Sequence, residues 1–70
     1  MNVTINGTDH ELSDGARVED AIAASGAQLD ASRRGVAVAV DGEVVPRAEW
    51  GTRELGEGAR VEVLTAMQGG

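Results

Sequence analysis

Cysteine is absent from the 70 residues, so neither a disulfide nor a thiolate metal site braces the fold, and burial with backbone pairing must be sufficient. The same absence leaves the redox compartment open. Lysine, phenylalanine and tyrosine are missing too, and there is one tryptophan, one proline and one histidine. With one histidine, no cysteine and no glycine-rich phosphate loop between strand and helix, the chain assembles neither a nucleophile with its base nor a metal cluster. It reads as a non-enzyme with no metal and no cofactor of its own. No apolar run approaches the ~20 residues of a membrane span, and the first residues lack the basic and apolar regions of a signal peptide, so the expected location is the cytoplasm, away from membranes. Positive charge is scarce: six arginines face twelve Asp and Glu, a net charge of −6. Such a surface repels phosphate backbones and anionic lipid, which removes nucleic acid from the expected partners. The missing lysines and aromatics, beside abundant alanine and arginine, read as genome composition rather than function.

What is present is periodicity. Met1 to Asn6 alternates Met1, Val3 and Ile5 with Asn2, Thr4 and Asn6, the period of a strand with one buried face. Asn6-Gly7 tolerates positive φ at both central positions of a tight turn, predicting a hairpin into a second strand around Thr8–Leu12. From Val18 the period becomes helical, with Val18, Ala21, Ile22 and Ser25 on one face and Glu19 and Asp20 in the first turn, where the helix dipole favours acids. Gly26 closes this helix, and Ala27 to Gly35 reads as a polar connection. Val36 to Val40 is continuously apolar, Asp41-Gly42 marks a second hairpin turn, and Glu43 to Val45 returns before Pro46 removes a donor. Pro46 to Glu54 reads as irregular, anchored by Leu55. A final strand is expected from Arg60 to Met67.

The order is strand, strand, helix, strand, strand, strand, without repeat or linker, and one small domain fills residues 1–70. Its class is α+β: a β-grasp (ubiquitin-like) mixed sheet of four to five strands, with one helix packed on one face to cover Val3, Ile5, Val38, Val40, Val61 and Val63. A flexible tail is expected over about 66–70.

Few residues offer chemistry. His10 lies in an edge hairpin between Asp9 and Glu11 and reads as a solvated histidine rather than a ligand or base. Glu19 and Asp20 are adjacent on a helix and point to different sides, so they form no acid/base pair. The end of the chain differs. At this glycine content, 10 of 70, a terminal Gly69-Gly70 pair arises by chance only about 2% of the time. Glycine has no Cβ to block a narrow channel and accepts any backbone dihedral, so Met67, Gln68, Gly69 and Gly70 form a segment suited to threading into another protein's active site. A carboxylate there is inert until activated, most simply as an acyl-adenylate from ATP. Sulfur then displaces AMP to give a thiocarboxylate, a nucleophile at neutral pH.

Three stretches carry a family resemblance: Val36-Ala37-Val38-Ala39-Val40-Asp41-Gly42-Glu43-Val44-Val45-Pro46-Arg47; Glu49-Trp50 with Leu55; and Arg60-Val61-Glu62-Val63-Leu64-Thr65-Ala66-Met67-Gln68-Gly69-Gly70. With Val3, Asn6-Gly7 and Val18 to Ile22, the chain resembles the thiamine-biosynthesis sulfur carriers, the ThiS family, along essentially its whole length. The resemblance implies that Gly70 is the reacting residue, adenylated with ATP by a ubiquitin-activating-like adenylyltransferase. It further implies a cysteine desulfurase or other persulfide donor as sulfur source, thiazole synthase as the consumer, and a carrier that is monomeric when free. Two departures are visible: Arg17 where a capping Thr is common, and Ala59 where an acidic turn residue is common. The missing cap is expected to cost about 1 kcal/mol, so that Arg17→Thr raises the melting temperature.

Strand alternation adds a surface. If Val61, Val63 and Thr65 face the helix, then Glu62, Leu64 and Ala66 face outward, beside Ala37 and Ala39 on the neighbouring strand. Related β-grasp proteins dock through this face, which makes Leu64, Ala66 and Ala39 the candidate partner-binding surface; the alternative is a singly exposed leucine. Trp50 reads either as cover for a core edge or as partner surface, with Arg47 beside it pairing with a partner's acids. Competing functions share the tail: a carrier for molybdopterin synthesis or for cysteine or tRNA thiolation, a covalent protein modifier, or a non-covalent β-grasp adaptor. Against molybdopterin stand the absence of phenylalanine and the ending Ala66-Met67-Gln68.

Overall fold

The alternation at the start of the chain becomes a strand pair in the computed structural model, which describes residues 1–27 and 35–65. Strand β1 (Asn2–Ile5) turns through Asn6-Gly7 into β2 (Thr8–Glu11), and both turn residues take positive φ, 52° and 82°. Asp41-Gly42 does the same, at 51° and 85°, between β3 (Val36–Val40) and the two-residue β4 (Glu43–Val44). Two-residue turns of this kind match the right-handed twist of the strands they join, which is why both Asn-Gly and Asp-Gly act as predicted. Val45 lies beyond β4.

Strand β5 (Arg60–Thr65) enters between the two hairpins, giving the order β2-β1-β5-β3-β4. It runs parallel to β1, with Ile5 beside Val61, and antiparallel to β3, with Val38 beside Val63. The result is a mixed five-stranded sheet with one helix on one face, the β-grasp arrangement. Met67, expected in this last strand, lies outside the described residues, as does most of the expected connection, residues 28–34.

Helix α1 (Val18–Ala24) buries Val18, Ala21 and Ile22 completely against Val3, Ile5, Val38, Val61 and Val63. Gly26 follows at φ 83°, the left-handed position expected to close the helix. At the other end Arg17 makes no side-chain cap, because a guanidinium has no acceptor. The first turn is nevertheless satisfied: Val18 N–H donates to Arg53 O at 3.0 Å, Glu19 N–H to Trp50 O at 3.0 Å, and Asp20 N–H to Arg17 O at 2.9 Å. The Asp20 carboxylate in turn accepts from Arg17 N–H at 2.8 Å. The side-chain cap expected to be missing at Arg17 is indeed missing, and the segment around Trp50 fills the donors it leaves open.

That segment is more ordered than its composition suggests. Where an irregular stretch was expected, a 3-10 turn spans Arg47–Glu49 and delivers Trp50 into the core at 1% exposure, with Nε1 donating to Val45 O at 3.0 Å. The indole is core cover and not partner surface. Leu55 is buried, and its N–H donates to Ala16 O at 2.8 Å, so it does anchor the stretch. Ala59 is also buried, with its carbonyl taking Thr4 N–H at 3.0 Å, so the position where an acid is common here holds a small core residue.

Candidate functional site

Gly70, Gly69, Gln68, Met67 and Ala66 lie outside the described residues. What the structure describes is the strand that leads to them and the sheet face beside it. Because β5 sits between β1 and β3, its backbone is bonded on both sides, and the chain continues toward Gly70 from the middle of the sheet.

Alternation along β5 sends Val61 and Val63 into the core and turns Arg60, Glu62 and Leu64 outward. Leu64 is 66% exposed, as the outward parity requires. Thr65 has inward parity but is exposed, correcting its expected place under the helix. It lies past the end of α1 and borders a shallow hollow with Asn6, Ser25, Gly26, Ala27 and Val63.

Cross-strand register decides what surrounds Leu64. Ala37 stands directly opposite it, whereas Ala39 stands opposite Glu62 and, on its other side, Val44. Ala39 is half-buried, and Val44 is 75% exposed. The outward face at this end of the sheet therefore carries Leu64, Ala37, Ala39 and Val44 together, with Glu62 among them. Sequence reading named Leu64 and Ala39 but missed Val44. The signal was available: a two-residue turn at Asp41-Gly42 pairs Val40 with Glu43 and hence Ala39 with Val44.

Both hairpin tips grip β5. Asp41 Oδ1 accepts from Arg60 N–H at 2.9 Å while Asp41 N–H donates to Arg60 O at 2.8 Å. Asn6 Oδ1 accepts from Val63 N–H at 2.8 Å, and its Nδ2 donates to Val63 O at 3.1 Å. The residues that permit the turns also hold the strand.

The remaining polar groups are peripheral. His10 pairs with Val3 across the open edge of the sheet and is half-buried. Asp20 is engaged at the helix start, as given above, and Glu19 approaches Gly51, where an added Cβ would lie 3.2 Å from the Glu19 carboxylate. Arg47 is exposed on the 3-10 turn. Among the described residues no three His, Cys, Asp or Glu side chains converge as metal ligands, and no helix is long and apolar enough to cross a membrane.

Residues 3–70 match the model of the ThiS family. The chain is similar to a crystal structure of a thiamine biosynthesis protein (ThiS) from Geobacter metallireducens, 29% identical, with a TM-score of 0.73 and all of both chains covered. It is likewise similar to a solution NMR structure of a thiamine biosynthesis protein from Geobacter metallireducens, 28% identical, with a TM-score of 0.75, covering all of this chain and 88% of the other. No curated protein matches.

Proposed function

The chain belongs to the ThiS family, and from that premise we propose that it is a protein cosubstrate: a sulfur carrier for the thiazole moiety of thiamine, reacting through the carboxylate of Gly70. A ubiquitin-activating-like adenylyltransferase uses ATP. The Gly70 carboxylate oxygen attacks the α-phosphorus and pyrophosphate leaves, so that the acyl carbon now bears AMP as a leaving group. A persulfide sulfur, from a cysteine desulfurase or another donor, attacks that carbon and expels AMP with the former carboxylate oxygen. Cleavage of the resulting S–S bond by a thiol leaves the thiocarboxylate, whose nucleophilic sulfur passes to thiazole synthase.

One observation carries this reading: the family match runs through the whole sheet and on to Gly70, ending on the Gly-Gly pair. The body supplies no rival chemistry among the described residues and presents Leu64, Ala39 and their neighbours beside the strand that leads to the reacting end. Leu64 with Ala39 and Ala66 is the proposed seat for the adenylyltransferase, and Met67, Gln68 and Gly69 are the residues proposed to thread into it. The carrier acts in the cytoplasm as a monomer and binds no cofactor. Deleting Gly70 tests the reading. ATP–pyrophosphate exchange by the adenylyltransferase should be supported by the full chain and not by the truncated one; equal exchange from both would remove Gly70 as the required reacting residue, and no exchange from either would favour a non-covalent adaptor.

A further inference from the structure

The Asn6 carboxamide behaves as one extra residue of β1. The backbone of β1 pairs with β5 as far as Asn6 N–H donating to Val61 O at 2.9 Å. Beyond that point the chain has turned away through Gly7, and Val63 has no backbone neighbour on this side. The side chain fills the gap with both bonds a strand residue would make, accepting from Val63 N–H and donating to Val63 O. Asparagine alone does this here. Aspartate lacks the donor, glutamine is longer by a methylene, and the position needs positive φ, 52°, which asparagine tolerates better than most residues.

On β3's side β5 stays paired through Thr65 with Val36, so without Asn6 the end of β5 would belong to a two-stranded ribbon, and such ribbons twist more than wider sheets. That end carries Leu64 and continues to Gly70. We propose that Asn6 is a positioning residue for the adenylation of Gly70: by pairing both sides of Val63 it holds the end of β5 flat in the sheet, fixing the relation between the outward face at Leu64 and the direction in which the chain leaves. This rests on the sulfur-carrier reading. Asp41 grips the opposite end of β5 at Arg60 and supplies a matched control, since it too sits at positive φ in a two-residue turn, 51°, yet lies far along the strand from the reacting end.

The test compares the unsubstituted chain with Asn6→Gly, Asn6→Asp and Asp41→Gly; the glycine variants keep the turn conformation. ATP–pyrophosphate exchange by the adenylyltransferase is measured well below every variant's unfolding temperature. Asn6→Gly should lower kcat about tenfold at nearly constant KM, as expected when a reacting group is misplaced rather than undocked, while Asp41→Gly should stay within about twofold. Amide hydrogen exchange reads the clamp itself. Val63 protection should fall in Asn6→Gly but not in Asp41→Gly, and in Asn6→Asp it should fall less than in Asn6→Gly, because the carboxylate still accepts from Val63 N–H although it cannot donate to Val63 O. Unchanged Val63 protection in Asn6→Gly overturns the clamp. Lost protection with unchanged kcat, or equal kcat losses in Asn6→Gly and Asp41→Gly, overturns the positioning role. If the unsubstituted chain is itself not adenylated, the carrier reading falls and the positioning role with it, while the exchange data still decide the clamp.

Discussion

Ala37 stands directly across β3 and β5 from Leu64, so the leucine, 66% exposed, has only a methyl group opposite it on the outer face of the sheet. Among the described residues its side chain is left mostly uncovered, on the strand that leads to Gly70, and it is the centre of the surface proposed above as the seat of the adenylyltransferase.

Leu64→Asp should therefore leave the fold intact and remove adenylation. The stability change should be within about 1 kcal/mol, the span of strand propensities at an exposed site. Circular dichroism checks the fold and pyrophosphate exchange the activity. A variant that folds and is adenylated normally would remove Leu64 from the docking surface; a variant that loses its folded spectrum would assign Leu64 to stability instead.

At the helix start, Asp20 should matter more than Arg17. Because Val18 and Glu19 already donate to Arg53 and Trp50, Arg17→Thr should change stability by no more than about 0.5 kcal/mol, a surface-substitution effect. Asp20→Ala removes the acceptor of Arg17 N–H and one of the two acids in the first turn, and should cost about 1 kcal/mol. Thermal melts of both variants give the order. A rise of several degrees in Arg17→Thr would mean the backbone donors of the first turn are not satisfied as described.

Trp50 should be the most sensitive core position. Trp50→Ala should cost about 3–5 kcal/mol, close to the whole stability of many small domains, and should unfold much of the population. Trp50→Phe keeps a ring but leaves Val45 O without its indole donor, and should cost about 1–3 kcal/mol. Urea titrations followed by circular dichroism rank them. A Trp50→Ala chain as stable as the parent would place the indole outside the core.

Much of this was legible in the sequence because it is local. Asn6-Gly7 and Asp41-Gly42 name their own turns, and the alternation of Val61 and Val63 with Glu62 and Leu64 sets the faces of β5. The helical spacing of Val18, Ala21 and Ile22 sets the face of α1. What escaped depends on contacts distant in sequence. The Asn6 side chain binds Val63 across 57 positions, and no pattern near Asn6 reports a use beyond the turn. The start of α1 is completed by carbonyls of Trp50 and Arg53, partners that no pattern near Arg17 reports. Val44 lay within reach of hairpin register, and Thr65 failed because parity gives a side chain's direction but not whether anything covers it. The candidate site itself was read from glycine chemistry and family resemblance; the described residues supply the strand and the face that lead to it.

The central claim is that Gly70 exchanges a carboxylate oxygen for sulfur. Intact mass of the C-terminal peptide, after the chain is incubated with ATP, the adenylyltransferase, a persulfide donor and a thiol, tests it most directly. The account predicts a gain equal to one sulfur replacing one oxygen, located on Gly70 by fragmentation and absent when ATP is omitted. An unmodified peptide under conditions where the adenylyltransferase is demonstrably active would contradict it.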